Sequence, residues 1–306
     1  MLEETPPGAA PKGAPDGTPD RREDRPHAPV LVESVTGFLA GRATVVDMTL
    51  GAGGHTEALL RAGVERVIGV DRDPEALSIA ALRLESFGDR VRLIRSTFAE
   101  VEVEGPVDGV LYDLGVSSMQ LDRPERGFGY RHDGPLDMRM SSAGPSAADL
   151  VNELPEEELA DLIFEFGGEH RSRRIARAIV RARERSPIET TDALARVVAG
   201  ALGRRPGGPH PARRTFQALR IAVNRELEEL DASLPQAVEL LAPGGRVVVL
   251  AYHSLEDRVV KRTFLEDERL LRLTKKPVMP GPDEIVANPR ARSARLRAAE
   301  RLEVAA

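Results

Sequence analysis

A glycine-rich turn followed by an acidic residue is the first pattern in the sequence with chemical meaning. Gly53 and Gly54 come just after the predicted strand 44–48. Glycines there let a ligand approach the backbone, and the amides of the next helix point at its polar end. Asp71 follows the predicted strand 66–70, where a carboxylate can accept hydrogen bonds from two ribose hydroxyls. No third glycine stands at the dinucleotide spacing, so the pattern favours a single nucleoside such as S-adenosylmethionine; a turn that binds nothing remains the alternative.

Two further polar residues are expected at the same edge of the sheet. Asp113 follows the predicted strand 109–112, and His253 comes two residues after the predicted strand 246–251. Ligands of open α/β sheets bind outside the carboxyl ends of the strands, and an unpaired carboxylate at a buried strand end is costly. We therefore predict that Asp113 is catalytic and that His253 contacts the base or a phosphate. Capping or structural roles remain the alternatives for both residues.

Three aromatic residues are candidates for contacts with rings. Phe98 lies just past the predicted strand 91–95, where an adenine ring could rest against it. Phe128 and Tyr130 are the nearest aromatic residues after Asp113, and bases that leave a nucleic-acid stack are commonly held on aromatic faces. Ordinary packing roles for all three residues remain open.

Composition excludes several kinds of chemistry. The chain has 306 residues and no cysteine, which excludes disulfides, thiolate zinc sites, iron–sulfur clusters and a cysteine nucleophile. The six histidines form no closely spaced pair, so no metal is predicted. Because no apolar run is long enough to span a bilayer and no signal peptide opens the sequence, we expect a cytoplasmic protein without a membrane partner.

Short apolar runs that alternate with helical patterns predict an α/β fold with a parallel sheet. Roughly twenty residues separate each of the first four strands, but more than a hundred separate the fourth from the fifth, and that long segment is helical in pattern. We therefore expect a helical domain inserted into a sheet domain. The predicted division is a proline-rich, disordered tail at 1–26, a sheet domain at 27–120 plus 214–306, and an inserted helical domain at 121–213.

The predicted RNA surface rests on charge. The whole chain has a formal net charge of −6, whereas residues 171–225 hold fourteen arginines against three acidic residues. Such an asymmetry indicates a polyanionic partner. Four of these arginines recur at steps of four and form one helical stripe that could follow a phosphate backbone; they are Arg173, Arg177, Arg181 and Arg185. A solvated charged face is the alternative.

Six separated blocks of the sequence closely resemble the bacterial 16S ribosomal RNA cytosine-N4 methyltransferases. The blocks are 113–122, 125–130, 133–140, 173–179, 214–220 and 253–258. The resemblance implies a Rossmann-like class I S-adenosylmethionine-dependent sheet and transfer of a methyl group to N4 of the cytidine at position 1402, in the decoding centre of the small ribosomal subunit. The cofactor contacts that it implies are Gly53, Gly54, His55, Asp71, Phe98, Asp113 and Gln120.

Other functions are still compatible with the residues. Many amino-methyltransferases carry two prolines and an aromatic residue after the acidic strand end, whereas Leu114, Gly115 and Val116 stand here, so the residue that stacks on the target base is open. A methyltransferase for small molecules, a non-catalytic RNA-binding module and, least favoured, a dinucleotide dehydrogenase are the alternatives. The sequence does not decide the oligomeric state.

Overall fold

A seven-stranded sheet forms the centre of the computed structural model, which describes residues 29–141, 143–203 and 208–303. The strand order is β3-β2-β1-β4-β5-β7-β6. Neighbours among the first five strands are parallel, and β7 runs antiparallel to both β5 and β6. This order confirms the predicted Rossmann-like fold class. The strands are β1 (Thr44–Asp47), β2 (Arg66–Asp71), β3 (Val91–Arg95), β4 (Val107–Asp113), β5 (Leu241–Ala251), β6 (Leu270–Arg272) and β7 (Arg295–Arg301).

Helices cover both faces of the sheet, which explains why its central strands are apolar without alternation. In β4, Leu111 packs on the face covered by the first helices, whereas Tyr112 packs on the opposite face, and both are fully buried. The helices are α1 (Val32–Leu39), α2 (Gly54–Arg61), α3 (Pro74–Leu84), α4 (Ser118–Asp122), α5 (Ala147–Glu153), α6 (Glu156–Gly167), α7 (Ser172–Arg183), α8 (Thr191–Leu202), α9 (Arg213–Asn224), α10 (Glu226–Leu240), α11 (Ser254–Glu266) and α12 (Pro282–Ala287). None of these helices is both long and apolar enough to cross a membrane.

The helices between β4 and β5 have a hydrophobic core of their own. Leu159, Ile175 and Leu194 from three of these helices are fully buried in it. The core also takes in Phe216 and Leu219 of α9, so its packing continues past the predicted boundary at residue 213. The predicted tail at 1–26 lies outside the described residues, and the predicted division into domains remains a proposal.

Two segments that read as continuous helical patterns are each broken in the structure. The segment 146–166 becomes α5 and α6, because Pro155 stands at the start of α6 and leaves extended backbone before it. The stripe from Phe216 to Leu230 becomes α9 and α10. Arg225 separates them in the left-handed conformation, with φ 51°, and this ends α9 without a glycine.

The corner between α9 and α10 joins the inserted helices to the sheet. The Asn224 side chain accepts a hydrogen bond from the Met140 amide and donates one to the Met138 carbonyl, both at 2.8 Å. Met138 is fully buried and has a positive φ of 63°. Arg72, just after β2, donates to the Asn224 carbonyl at 3.3 Å and pairs with Glu229. A single asparagine therefore satisfies the backbone of a buried loop at the junction.

Replacing Asn224 with alanine should lower the free energy of unfolding by about 2–4 kcal/mol, because it leaves a buried amide and a buried carbonyl without partners. Chemical denaturation of the wild type and the variant measures this difference. Glu228→Ala, which removes one member of an exposed ion pair on the same corner, is the control and should change stability little. A loss for Asn224→Ala no larger than that of the control would contradict this role.

Candidate active site

The candidate active site lies at the carboxyl edge of the sheet, where four parallel strands end side by side. Asp47 ends β1, Asp71 ends β2 and Asp113 ends β4. Tyr252 and His253 follow the end of β5, which lies beside β4. The topology therefore brings the predicted residues Asp71, Asp113 and His253 to one edge.

The glycine-rich turn depends on a left-handed backbone conformation and on close packing at Gly53. Gly53 caps α2 with φ 77°, and a Cβ atom there would meet the Leu84 side chain at 3.1 Å. The Gly51 amide donates to Asp71 Oδ2 and the Asp73 amide donates to Asp71 Oδ1, both at 2.8 Å. Burial raises the pKa of Asp71, although these two amides oppose the shift. The turn thus binds the same carboxylate that was predicted to bind a ribose.

Asp113 is contacted from both sides through its two carboxylate oxygens. The Tyr252 hydroxyl donates to Oδ1 at 2.7 Å, and His55 Nε2 lies 3.4 Å from Oδ2. The Asp113 amide donates to Thr49 Oγ1 at 2.6 Å. The Asp113 side chain is 26% exposed. The carboxylate is therefore held in place but still reachable by a ligand.

A second layer of buried charge lies behind Asp113. His55 and Asp47 are almost completely buried, and Asp47 accepts hydrogen bonds from the Thr56 hydroxyl at 2.8 Å and the Thr49 amide at 3.2 Å. Burial raises the pKa of Asp47 to about 6, and the bond from Thr56 and the nearby His55 only partly oppose it. Burial alone lowers the pKa of His55, but the contact with Asp113 and the charges of Asp113 and Asp47 outweigh burial and raise it.

Gln120 reaches the site from α4. Its amide nitrogen lies 3.2 Å from Asp73 Oδ2, which also accepts from Arg126 at 2.9 Å. The Gln120 oxygen accepts from the Ser117 amide at 3.1 Å and closes a capping box at the start of α4. Because Asp73 is two residues from Asp71, Gln120 stands beside the predicted ribose-binding residue.

Phe98 is half-buried and lines a cavity beside α10. Its ring packs edge-on against Tyr112 at 5.7 Å, and the Arg72 guanidinium lies 5.9 Å from its centre. The cavity has a volume of about 510 Å³ and is also lined by Met48 and by Leu240 of α10. Phe98 thus combines a packing contact with a face toward open space.

His253 caps the helix that follows β5. Its Nδ1 accepts a long hydrogen bond from the Glu256 amide at 3.4 Å, and its Nε2 lies 3.0 Å from Glu256 Oε1. Donor atoms of Glu226, His253 and Glu256 come within 4.8 Å of one another, a spacing that suits a metal ion. Both Glu226 oxygens, however, already accept from Arg220, at 2.8 and 2.9 Å. The Arg220 guanidinium therefore supplies the positive charge beside Glu226. The absence of a metal stays a prediction.

The two aromatic candidates for base stacking are occupied by packing. Phe128 is 6% exposed and belongs to the core of the inserted helices, which favours the alternative packing role over stacking on a base. Tyr130 is half-buried, lies parallel to the His210 ring at 4.6 Å and meets Phe216 edge-on at 5.4 Å. One face of Tyr130 is therefore covered by His210.

The predicted arginine stripe lies on the exposed face of α7. Arg173, Arg177 and Arg181 lie within the helix, Arg185 follows its end, and all four side chains are exposed. Arg177 also lies 3.4 Å from Glu156. Some of the other arginines in the segment serve the fold instead: Arg183 donates to two carbonyls at the end of α5. The surface charge is thus smaller than the count of arginines suggests.

Three residues of this site were missed in the sequence. Tyr252 stands directly before His253, and its importance depends on a hydrogen bond across to β4 that sequence spacing does not reveal. Asp47 ends β1 in the same way that Asp113 ends β4, which is a signal that the sequence did contain. Asp73 follows Asp71 by two residues and reads as an ordinary helix cap.

The sequence matches the MraW methylase family over residues 24–302. It is 52% identical over 311 residues to the ribosomal RNA small subunit methyltransferase H of Methylobacterium sp. (strain 4-46), and the match covers 92% of each chain. The protein of the same name from Sorangium cellulosum (strain So ce56) is 52% identical over 286 residues, covering 90% of this chain and 91% of that one. The chain therefore belongs to the MraW methylase family, which confirms the family resemblance.

Solved structures are more distant. An rRNA methylase from Streptococcus thermophilus has 14% identity and a TM-score of 0.41, with 89% of this chain and 94% of that chain covered. The N-methyltransferase NodS from Bradyrhizobium japonicum WM9, in complex with S-adenosyl-L-homocysteine, has 11% identity and a TM-score of 0.41, with 94% of each chain covered. The fold assignment rests on the strand order rather than on these likenesses.

The buried carboxylate of Asp47 should make stability depend on pH. Its pKa is about 6 in the fold and near 4 in an unfolded chain, so the folded state holds a proton that the unfolded state loses between these values. Its contribution to stability is therefore present below pH 4 and lost as the pH rises to about 6. The Asp47→Asn variant does not show this loss. The difference in unfolding free energy, variant minus wild type, should therefore rise by about 2 kcal/mol between pH 4 and pH 6.

Denaturant titrations at pH 4, 5 and 6 measure this difference. Asp231→Asn, at an exposed carboxylate on α10, is the matched control and should show a flat difference. Parallel stability curves for wild type and Asp47→Asn would show that Asp47 is ionised throughout.

Proposed function

We propose that this member of the MraW methylase family transfers a methyl group from S-adenosylmethionine to the exocyclic N4 of the cytidine at position 1402 of 16S ribosomal RNA. The observation that carries the proposal is Asp113, an accessible carboxylate held between Tyr252 and His55 at the carboxyl edge of the sheet. The six sequence blocks and the printed names of the relatives support a small-subunit ribosomal RNA substrate. This reaction belongs in the cytoplasm, where the ribosomal subunits are.

The methyl donor is S-adenosylmethionine, which supplies an electrophilic methyl group on a sulfonium. The chain's residues fit such a group. Gly53 and Gly54 open the turn so that a ligand can approach the start of α2. Asp71 is fixed by two backbone amides and can accept from ribose hydroxyls with its remaining lone pairs. Phe98 offers an apolar face beside the cavity, and Gln120 stands next to Asp73.

The residues must also overcome the low nucleophilicity of the target amine. The lone pair of a cytosine amine is delocalised into the ring, so the enzyme must orient the amine and accept hydrogen bonds from it. Asp113 is the group that can do so, because its carboxylate is partly exposed, accepts a hydrogen bond from Tyr252 and lies in contact with His55. His253 is held as a helix cap by Glu256, which favours a role in ordering the turn over direct contact with the base.

The inserted helices supply the surface for RNA. The exposed arginines of α7 form a stripe that is suited to phosphates, which position a nucleic acid without reading its sequence. Tyr130 can stack on a base only through the face of its ring that points away from His210. We therefore assign the stripe to binding, and the selection of the target nucleotide to the sheet edge.

The proposal is tested by mapping the product. Small ribosomal subunits from a strain that lacks the protein are incubated with purified enzyme and S-adenosylmethionine carrying a labelled methyl group. We expect one labelled nucleotide, N4-methylcytidine at position 1402. Label on another nucleotide, on the N4 of another cytidine or only on small molecules would overturn the proposal.

Asp113→Asn should lower the rate of single-turnover methylation about a hundredfold or more, within the range for a group that stabilises charge or accepts a proton in the reaction. The substitution keeps the size of the side chain and one acceptor oxygen but removes its charge. Rates are measured with RNA and enzyme in excess over labelled donor, and melting curves confirm folding. A folded variant with the wild-type rate would remove Asp113 from the mechanism.

The double variant Arg173→Glu with Arg181→Glu should weaken RNA binding while cofactor affinity stays unchanged. The slope of log affinity against log salt concentration should fall by the amount expected for about two lost phosphate contacts. Affinities are measured by filter binding from about 50 to about 300 mM salt, a roughly sixfold range over which phosphate contacts change the affinity strongly. Arg66→Glu with Arg92→Glu changes the net charge equally at exposed positions on β2 and β3 and serves as the control. If both double variants lose RNA affinity equally, total charge rather than the stripe governs binding.

A further inference from the structure

We propose that Tyr252 is a positioning residue for Asp113 and that its hydroxyl holds the carboxylate in one orientation and in its ionised form. The inference rests on the proposed function, because it concerns the group that accepts from the target amine. The Tyr252 hydroxyl lies 2.7 Å from Asp113 Oδ1. A hydrogen bond donated to a carboxylate is among the stronger ones in proteins and favours the charged form.

The tyrosine is fixed at three points. Its amide donates to Glu256 Oε2 at 2.7 Å, which ties the backbone to α11. Its ring lies against Gly115, where a Cβ atom would stand 3.5 Å from the ring carbon Cδ2. Its hydroxyl bonds to Asp113 across the gap between β5 and β4. Because all three contacts are made at once, the phenol has little freedom to turn away from the carboxylate.

The surroundings make the phenol a permanent donor. Burial raises the pKa of Tyr252 well above its ordinary value, and the negative charge of Asp113 adds to the shift. Glu256 from α11 and Glu284 from α12 contribute in the same direction. Tyr252 therefore keeps its proton at neutral pH and can donate it to the ionised carboxylate of Asp113.

The phenol and the imidazole serve Asp113 in different ways. His55 faces the other carboxylate oxygen at 3.4 Å, with Asp47 behind it, and its charge changes with pH. Tyr252 is uncharged and does not titrate in that range. The hydrogen bond from Tyr252 to Asp113 is therefore the same at every pH in this range. Without the hydroxyl, the Asp113 carboxylate should depend on His55 alone, whose charge changes with pH.

The test is the pH dependence of single-turnover methylation of small ribosomal subunits. Asp113 must be ionised to accept from the amine, so the rate falls on the acid side. Tyr252→Phe removes one donor to the ionised form, and we expect the midpoint of this acid limb to move up by about one pH unit. The rate on the plateau should fall by no more than about threefold, because the ring and its backbone bond remain. A purely structural role would lower the plateau without moving the midpoint.

Tyr112→Phe is the matched control. It also loses a tyrosine hydroxyl, which is buried and bonded to Ser233 on the other side of the sheet, and it should leave the midpoint unchanged. In the Asp113→Asn background, Tyr252→Phe should have no further effect on the shape of the profile. An unchanged midpoint in Tyr252→Phe, or an equal shift in Tyr112→Phe, would overturn the inference.

A second readout keeps this inference separate from the proposed function. Infrared titration of the free protein follows the carbonyl band of protonated carboxyl groups, and Asp113→Asn identifies the band of Asp113. We expect this band to appear about one pH unit higher in Tyr252→Phe than in wild type. Failure of the enzyme to methylate ribosomal RNA would reject the proposed function, whereas an unshifted band would reject the role of Tyr252.

Discussion

Three carboxylates end neighbouring or next-neighbouring strands at one edge of the sheet, and the rest of the site depends on how their charge is balanced. Asp47, Asp71 and Asp113 occupy these positions because parallel strands all point their carboxyl ends the same way. Each carboxylate has its own means of compensation. Backbone amides hold Asp71, hydroxyl and amide donors hold Asp47, and a phenol and an imidazole hold Asp113. The last set leaves the Asp113 carboxylate partly exposed, and Asp71 keeps lone pairs that the two amides do not use.

The joint between the inserted helices and the sheet is built from polar contacts rather than from a shared hydrophobic core. Asn224 and Arg72 close it on one side, and Arg220, paired with Glu226, lies close enough to Glu256 to influence its charge. Glu256 in turn accepts from the amide of Tyr252. The helices that carry the basic stripe and the turn that fixes Asp113 are thus connected through a few buried charges. Removing one member of such a network is costly, because it leaves a buried charge without a partner.

The sequence was sufficient for the first four parallel strands and for Asp71 and Asp113 at their carboxyl ends, because short and largely apolar runs mark these strands. It was not sufficient for β7, whose segment Arg295–Arg301 alternates arginines with small residues and has little apolar signal. Its Arg297 is 7% exposed and pairs with Asp257 at 2.6 Å, a tertiary contact that no local pattern announces. For the same reason Tyr252 was missed, and the sequence left open whether Phe128 packs in a core or stacks on a base.

The antiparallel strand β7 has a consequence for how the protein is made. It covers the free edge of β5, and it is the last strand along the chain. During synthesis on the ribosome, a β5 strand whose carboxyl end carries the Tyr252 turn emerges long before its partner does. Until residues 295–301 have left the exit tunnel, that edge stays open to pairing with other chains. A protein that lacks residues 295–301 therefore loses more than one strand, because the edge of β5 that β7 covers becomes open to pairing with other chains.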